Sequence, residues 1–143
     1  MPTRTARTTW NGGLNDGSGT VTLASSGVGS YEVNFPKRAA DDADGTTSPE
    51  ELIAAAHSAC FAMQFSAMLG AGGGSGQSLE VSADVTLGPD PAGGLHISGI
   101  ALTVSGSASG VGADDFARIA EEAKATCPVS KALAATPITL TVR

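Results

Sequence analysis

The sequence predicts an α+β domain in which an antiparallel sheet wraps a long central helix, in the order β-β-β-α-β-β-α-β. Three observations carry this. An uncharged stretch from Leu52 to Leu69 is too long to be a strand and ends in the glycine run Gly70-Ala71-Gly72-Gly73-Gly74. Alternating segments flank it on both sides, a pattern of half-buried strands. The connections between neighbouring strands are short and turn-like, which favours antiparallel neighbours over βαβ crossovers.

The chain has 143 residues, enough for one domain (1–143) that folds without a disulfide staple. Its net charge of −6 argues against a nucleic-acid partner, since phosphate neutralisation needs a basic surface. The first residues, Met1-Pro2-Thr3-Arg4-Thr5-Ala6-Arg7, lead into no apolar signal core, and the expected location is cytoplasmic. The Leu52–Leu69 stretch approaches membrane-span length, but it contains His57, Ser58, Gln64 and Ser66, and much of its apolar content is alanine. It is read as a buried helix, with no membrane partner.

Strands are expected at Thr3–Trp10, Gly19–Ala24 and Tyr31–Phe35, the last ending at Pro36. The acidic run Asp41-Asp42-Ala43-Asp44-Gly45 is a solvated loop. Ser48 is a natural N-cap for the first helix, with Pro49 in its first position and Glu51 completing a capping box. A hairpin follows, Ser78–Leu87 and Leu95–Ser107, around the turn Pro89-Asp90-Pro91-Ala92-Gly93-Gly94. Asp114 or Asp115 is expected to cap an amphipathic second helix through Lys124, which Pro128 interrupts. A short helical turn at Val129–Ala134 and a last strand at Ile138–Val142 complete the chain. The first helix is apolar nearly all round, and one sheet covers only one face of a helix. A second copy of the chain is the economical cover.

Two cysteines stand out. Cys60 lies in Ser48-Pro49-Glu50-Glu51-Leu52-Ile53-Ala54-Ala55-Ala56-His57-Ser58-Ala59-Cys60-Phe61, and Cys127 in Lys124-Ala125-Thr126-Cys127-Pro128-Val129-Ser130. Each could be an inert buried thiol. An apolar helix desolvates Cys60 and raises its pKa, and the helix dipole fades too far away to oppose this, so a reactive Cys60 needs a cation brought to it. Cys127 precedes Pro128 at a helix break, where the start of a helical turn lowers a thiol pKa. His57, three residues before Cys60, is read as a hydrogen-bonded core or interface histidine. A zinc site built from it has no second Cys/His pair to support it, so no metal and no cofactor is expected.

These motifs resemble the OsmC/Ohr family of thiol-dependent organic hydroperoxide reductases, from Trp10 to the last strand. The turn Asn11-Gly12-Gly13-Leu14-Asn15-Asp16 carries no arginine, whereas Phe35-Pro36-Lys37-Arg38 matches the arginine position of the OsmC branch. The resemblance implies an intertwined homodimer with Cys60 as the peroxide-attacking thiol and Cys127 as the thiol that closes a disulfide on it. It implies further that Arg38 serves Cys60 and that Glu50 orients Arg38; Lys37 is the fallback cation. The implied substrate is an organic hydroperoxide, with Phe61, Met63, Phe65 and Met68 as apolar lining. The implied reductant is a dithiol, of lipoyl type, or a small thiol. A thiol-based redox sensor and a ligand-binding dimer with inert cysteines are the alternatives from other classes. Ten helical residues separate Glu50 from Cys60, about 15 Å of axis and about 80° of phase. Either the helix breaks near Ala56–Ser58 or Glu50 serves the cysteine of a partner subunit.

Overall fold

The structure is a computed structural model that describes all residues, Met1–Arg143. The chain divides into two compact units, Met1–Leu52 and Ile53–Arg143.

The first unit holds a three-stranded antiparallel sheet in the order β1-β2-β3, formed by β1 (Arg7–Asn11), β2 (Ser18–Thr22) and β3 (Ser30–Val33). Registers such as Thr8↔Val21 and Val21↔Tyr31 fix it. The β1–β2 turn needs its glycines. Gly12 sits at φ 93, and a Cβ on Gly17 would strike the backbone carbonyl of Gly13. After β3 the expected strand end is instead a one-turn helix, α1 (Phe35–Arg38). Asn34 caps it, its side chain accepting the Lys37 N–H at 2.9 Å, and Pro36 suits its first turn. That Asx cap is the local signal outweighing the strand reading of Phe35. An isolated bridge, Val33↔Thr47, then returns the chain beside β3 and starts α2.

α2 (Pro49–Ala71) is one unbroken helix. Ser48 caps it as expected, its hydroxyl accepting the Glu51 N–H at 3.1 Å. The reciprocal half of the capping box is not made, because the Glu51 carboxylate takes the Thr47 hydroxyl instead.

The second unit packs α2 from Ile53 onward against a sheet ordered β4-β5-β6. β4 (Ser75–Pro89) and β5 (Leu95–Ser109) form the expected hairpin, both longer than the sequence suggests. β6 (Ile138–Val142) has the expected bounds but pairs parallel to β5, so this sheet is mixed. The helices α3 (Ala113–Thr126) and α4 (Pro128–Ala132) form the connection that makes a parallel return possible. Gly112, not an aspartate, stands at the N-cap of α3; Asp114 and Asp115 lie in its first turn, favourable for the helix dipole. The core is Phe61, Phe65 and Leu69 from α2, Leu102 and Val104 from β5, and Phe116, Ile119, Ala120 and Ala123 from α3, with Cys127 among them. Phe65 and Phe116 meet edge to face at 4.8 Å. α2 is long and apolar enough to cross a membrane by length and composition, but its phenylalanine line is packed against protein. Its other line, Ala55, Ala56, Ala59, Met63 and Ala67, is exposed, with Met63 at 69 %.

Candidate active site

In the first unit, Arg38 ends α1 and Glu50 stands in the first turn of α2, and the two form a two-point ion pair. Arg38 Nε donates to both Glu50 oxygens at 3.2 and 3.1 Å, and Nη2 donates to Oε1 at 2.7 Å. Glu50 is buried and Arg38 half-buried. Burial works to raise the Glu50 pKa, but the Arg38 hydrogen bonds, together with backbone and Ser48 contacts, outweigh it and hold the carboxyl below its ordinary value. The same hydrogen bonds hold Arg38 protonated against desolvation. One edge of the guanidinium is thereby fixed, and Nη1 stands outside the pair. Lys37, the fallback cation, is half-buried and committed to Asp44 at 2.6 Å.

In the second unit, the two cysteines meet. They are 67 residues apart in sequence, yet their sulfurs lie 3.3 Å apart, both as free thiols. Cys60 projects from α2 and is partly exposed, whereas Cys127 is fully buried between α3 and α4. Their ionisation differs in direction. Burial pushes the Cys60 thiol up and Cys127 adds to this, with only the Val129 N–H opposing. Burial also works against the Cys127 thiolate, but the backbone of Ser130, the Cys60 thiol, the Ser130 hydroxyl and the Val129 backbone outweigh it and bring Cys127 down. The cause is position: Cys127 is the N-cap residue of α4, where free N–H groups converge. The surroundings therefore favour the Cys127 thiolate and disfavour that of Cys60.

His57 is completely buried, its Nε2 2.7 Å from the Ser130 hydroxyl. It is a hydrogen-bonded core histidine, as the sequence suggests. Its partner Ser130 is the residue sequence reasoning missed. No group of three or more His, Cys, Asp or Glu side chains is arranged to hold a metal ion. Of the four residues expected as apolar lining, Phe61 and Phe65 are instead fully buried in the core. Met63 lines an open groove of about 500 Å³ with Ala62, Ser66, Ala67, Gln77 and Leu79.

Comparison with known proteins finds relatives over most of the chain. Residues 41–143 match the family described as OsmC, OsmC-like protein. The peroxiredoxin OsmC of Escherichia coli is 40% identical over 126 residues, 88% of this chain and 86% of that protein. Among solved structures, the organic hydroperoxide resistance protein OhrB of Bacillus subtilis superposes with a TM-score of 0.75 at 27% identity, covering 97% of this chain and 98% of that one. An organic hydroperoxide resistance protein of Elizabethkingia anophelis superposes at 0.76 with 30% identity, covering 99% and 96%. With residues 41–143 and most of its length matched, this chain belongs to the OsmC family.

Proposed function

We propose that the protein is a peroxidase that reduces organic hydroperoxides to alcohols through a Cys60 sulfenic acid and a Cys60–Cys127 disulfide. The single observation that carries this is the 3.3 Å approach of two free thiols from distant parts of the chain. A disulfide bond is about 2 Å long, so a small movement joins them. The order of events follows from access: Cys60 is partly exposed and Cys127 is not. The Cys60 thiolate attacks the distal peroxide oxygen, the O–O bond breaks, and the alkoxide leaves as alcohol after taking a proton. The Cys127 thiolate then attacks the Cys60 sulfur, the S–O bond breaks, and hydroxide leaves as water. An external dithiol reduces the disulfide by thiol exchange. Steady-state consumption of cumene hydroperoxide with a recycling dithiol tests the reading: turnover supports it, and a single stoichiometric event would make the protein a sensor.

A thiol that burial has pushed up needs a cation, and the Glu50-bound Arg38 is the candidate. Because α2 is unbroken, Glu50 and Cys60 stay about 15 Å apart along its axis. The proposed site is therefore composite, with Arg38 and Glu50 of one subunit completing the cysteine pair of another in a homodimer. The exposed apolar line of α2 supports an apolar partner there, as do the exposed Trp10, Leu14, Val28 and Tyr31 of the first unit. Co-expressing differently tagged Cys60→Ser and Glu50→Gln subunits tests this. In the mixed dimer one site regains both residues, so its activity should rise well above that of either homodimer; activity no better than the Glu50→Gln contribution would place Glu50 in cis or outside the site.

Substrate preference follows from the apolar surroundings. Cys60 packs against the core and Met63 lies exposed one turn on. An extra ~60 Å² of apolar contact at ~25 cal/mol per Å² is worth about tenfold. Cumene hydroperoxide should therefore show kcat/KM about tenfold above hydrogen peroxide. Equal values would mean that the bound peroxide meets water rather than side chains.

A further inference from the structure

We propose that His57 and Ser130 are positioning residues for disulfide closure: their buried hydrogen bond pins the start of α4 to α2 and so holds Cys127 within reach of Cys60. This deepens the peroxidase reading and rests on it for its part in turnover.

His57, Cys60 and Gln64 stand at positions i, i+3 and i+7 of α2 and so share one face. Each meets a partner from the break between α3 and α4. His57 Nε2 lies 2.7 Å from Ser130 Oγ, the Cys60 and Cys127 sulfurs lie 3.3 Å apart, and Gln64 Nε2 donates to Thr126 Oγ1 at 3.0 Å. A hydrogen bond thus brackets the thiol pair on each side. The two are unequal. The Gln64–Thr126 bond is exposed, and water competes for both groups. The other is sealed, with His57 at 0% and Ser130 at 6% exposure.

α4 depends on such a tie. A helix of five residues has too few internal hydrogen bonds to fix its own place. Ser130 is the buried residue of α4, and its partner is on α2. Val129 adds partly buried apolar contact with the core. Apolar packing is non-directional, whereas a hydrogen bond fixes both distance and angle. His57 Nδ1 is buried with no partner, so the ring proton sits on Nε2 and is donated to Ser130 Oγ. An aliphatic side chain in place of His57 would bury no orphan nitrogen; what the histidine supplies is the single bond to α4. Closing the disulfide takes the sulfurs from 3.3 Å to about 2 Å and admits only a narrow range of Cα separation, so a small displacement of α4 takes Cys127 out of line.

The test follows the fate of the Cys60 sulfenic acid. The Cys127 thiolate attacks its sulfur and expels hydroxide, giving the disulfide. In competition, the sulfenate attacks a second hydroperoxide, whose O–O bond breaks, giving sulfinic acid and alcohol. The cumene hydroperoxide concentration at which half of Cys60 becomes sulfinic acid, read by mass spectrometry, measures one rate against the other. Ser130→Ala and His57→Leu should each lower that concentration about tenfold. His57→Gln, which keeps an N–H donor, should stay closer to the native value. The double variant His57→Leu/Ser130→Ala buries no orphan polar group, so its thermal stability should recover while the partition stays low. An unchanged partition in Ser130→Ala, or one that recovers with stability in the double variant, overturns the proposal. A second readout uses no peroxide. At equilibrium in a dithiothreitol redox buffer, Ser130→Ala should make the disulfide about tenfold easier to reduce, a rise of ~30 mV in its potential. An unchanged potential contradicts the proposal. Native protein that shows no Cys60 oxidation by peroxide would defeat the peroxidase reading instead, and the redox-buffer result stands apart from it.

Discussion

Replacing Cys60 with serine is expected to abolish hydroperoxide turnover, whereas Cys127→Ser should still react once. The asymmetry comes from exposure and order. Peroxide must reach a sulfur, and Cys60 is the one that is partly open, with Cys127 buried behind it. Without Cys60 there is no accessible nucleophile, and a hydroxyl in its place does not ionise at neutral pH. The loss is of the chemical step itself, so activity should fall to background. Without Cys127 the first attack remains possible, but nothing 3.3 Å away condenses with the sulfenic acid. Cys60 should then accumulate as sulfenic and, with excess peroxide, sulfinic acid. Mass spectrometry of tryptic peptides distinguishes these forms. Oxidation of Cys127 in the native protein with Cys60 untouched would exchange the two roles.

The second large effect is expected at Arg38. Burial holds Cys60 above an ordinary thiol. At pH 7 such a thiol is overwhelmingly protonated. If the guanidinium is what recovers the thiolate, Arg38→Met should slow Cys60 oxidation by about 10²-fold at pH 7. The sign of the pH dependence follows: the deficit should shrink as pH rises toward 9, because solvent then deprotonates the thiol without help. Arg38→Lys should recover only part of the rate, since an ammonium cannot make the two-point contact with Glu50 seen here. A pH-independent deficit would assign Arg38 to substrate binding rather than to thiolate stabilisation. No deficit at all would remove it from the site.

Much of this was legible in the sequence, for identifiable reasons. α2 was readable because Ser48, Pro49 and the glycine run mark both its ends, and the cap forms as expected. The β4–β5 hairpin was readable from alternation and from Gly93 and Gly94, which sit at φ 101 and 87. The parallel return of β6 was not, because strand direction is set by where α3 and α4 leave the chain, a tertiary fact that five alternating residues cannot carry. Helix α1 was hidden by Phe35, whose strand preference yields to the Asn34 cap. Phe61 and Phe65 could not be told from pocket residues on an apolar helix, since only packing shows which face meets the sheet. The Arg38–Glu50 pair and the meeting of Cys60 with Cys127 came from motif resemblance, as nothing in spacing alone brings residues 67 apart together. Ser130 carries no signal until His57 is seen beside it.

Peroxide reduction should join Cys60 and Cys127 of one chain. The most direct measurement adds one equivalent of cumene hydroperoxide per fully reduced chain, quenches with acid and alkylating reagent, and maps the peptides. Both thiols should disappear together, one alcohol should form per chain, and a single linked peptide should join Cys60 to Cys127 within the chain. Alcohol formation with both cysteines recovered as alkylated thiols, or with linkage only between separate chains, would contradict it.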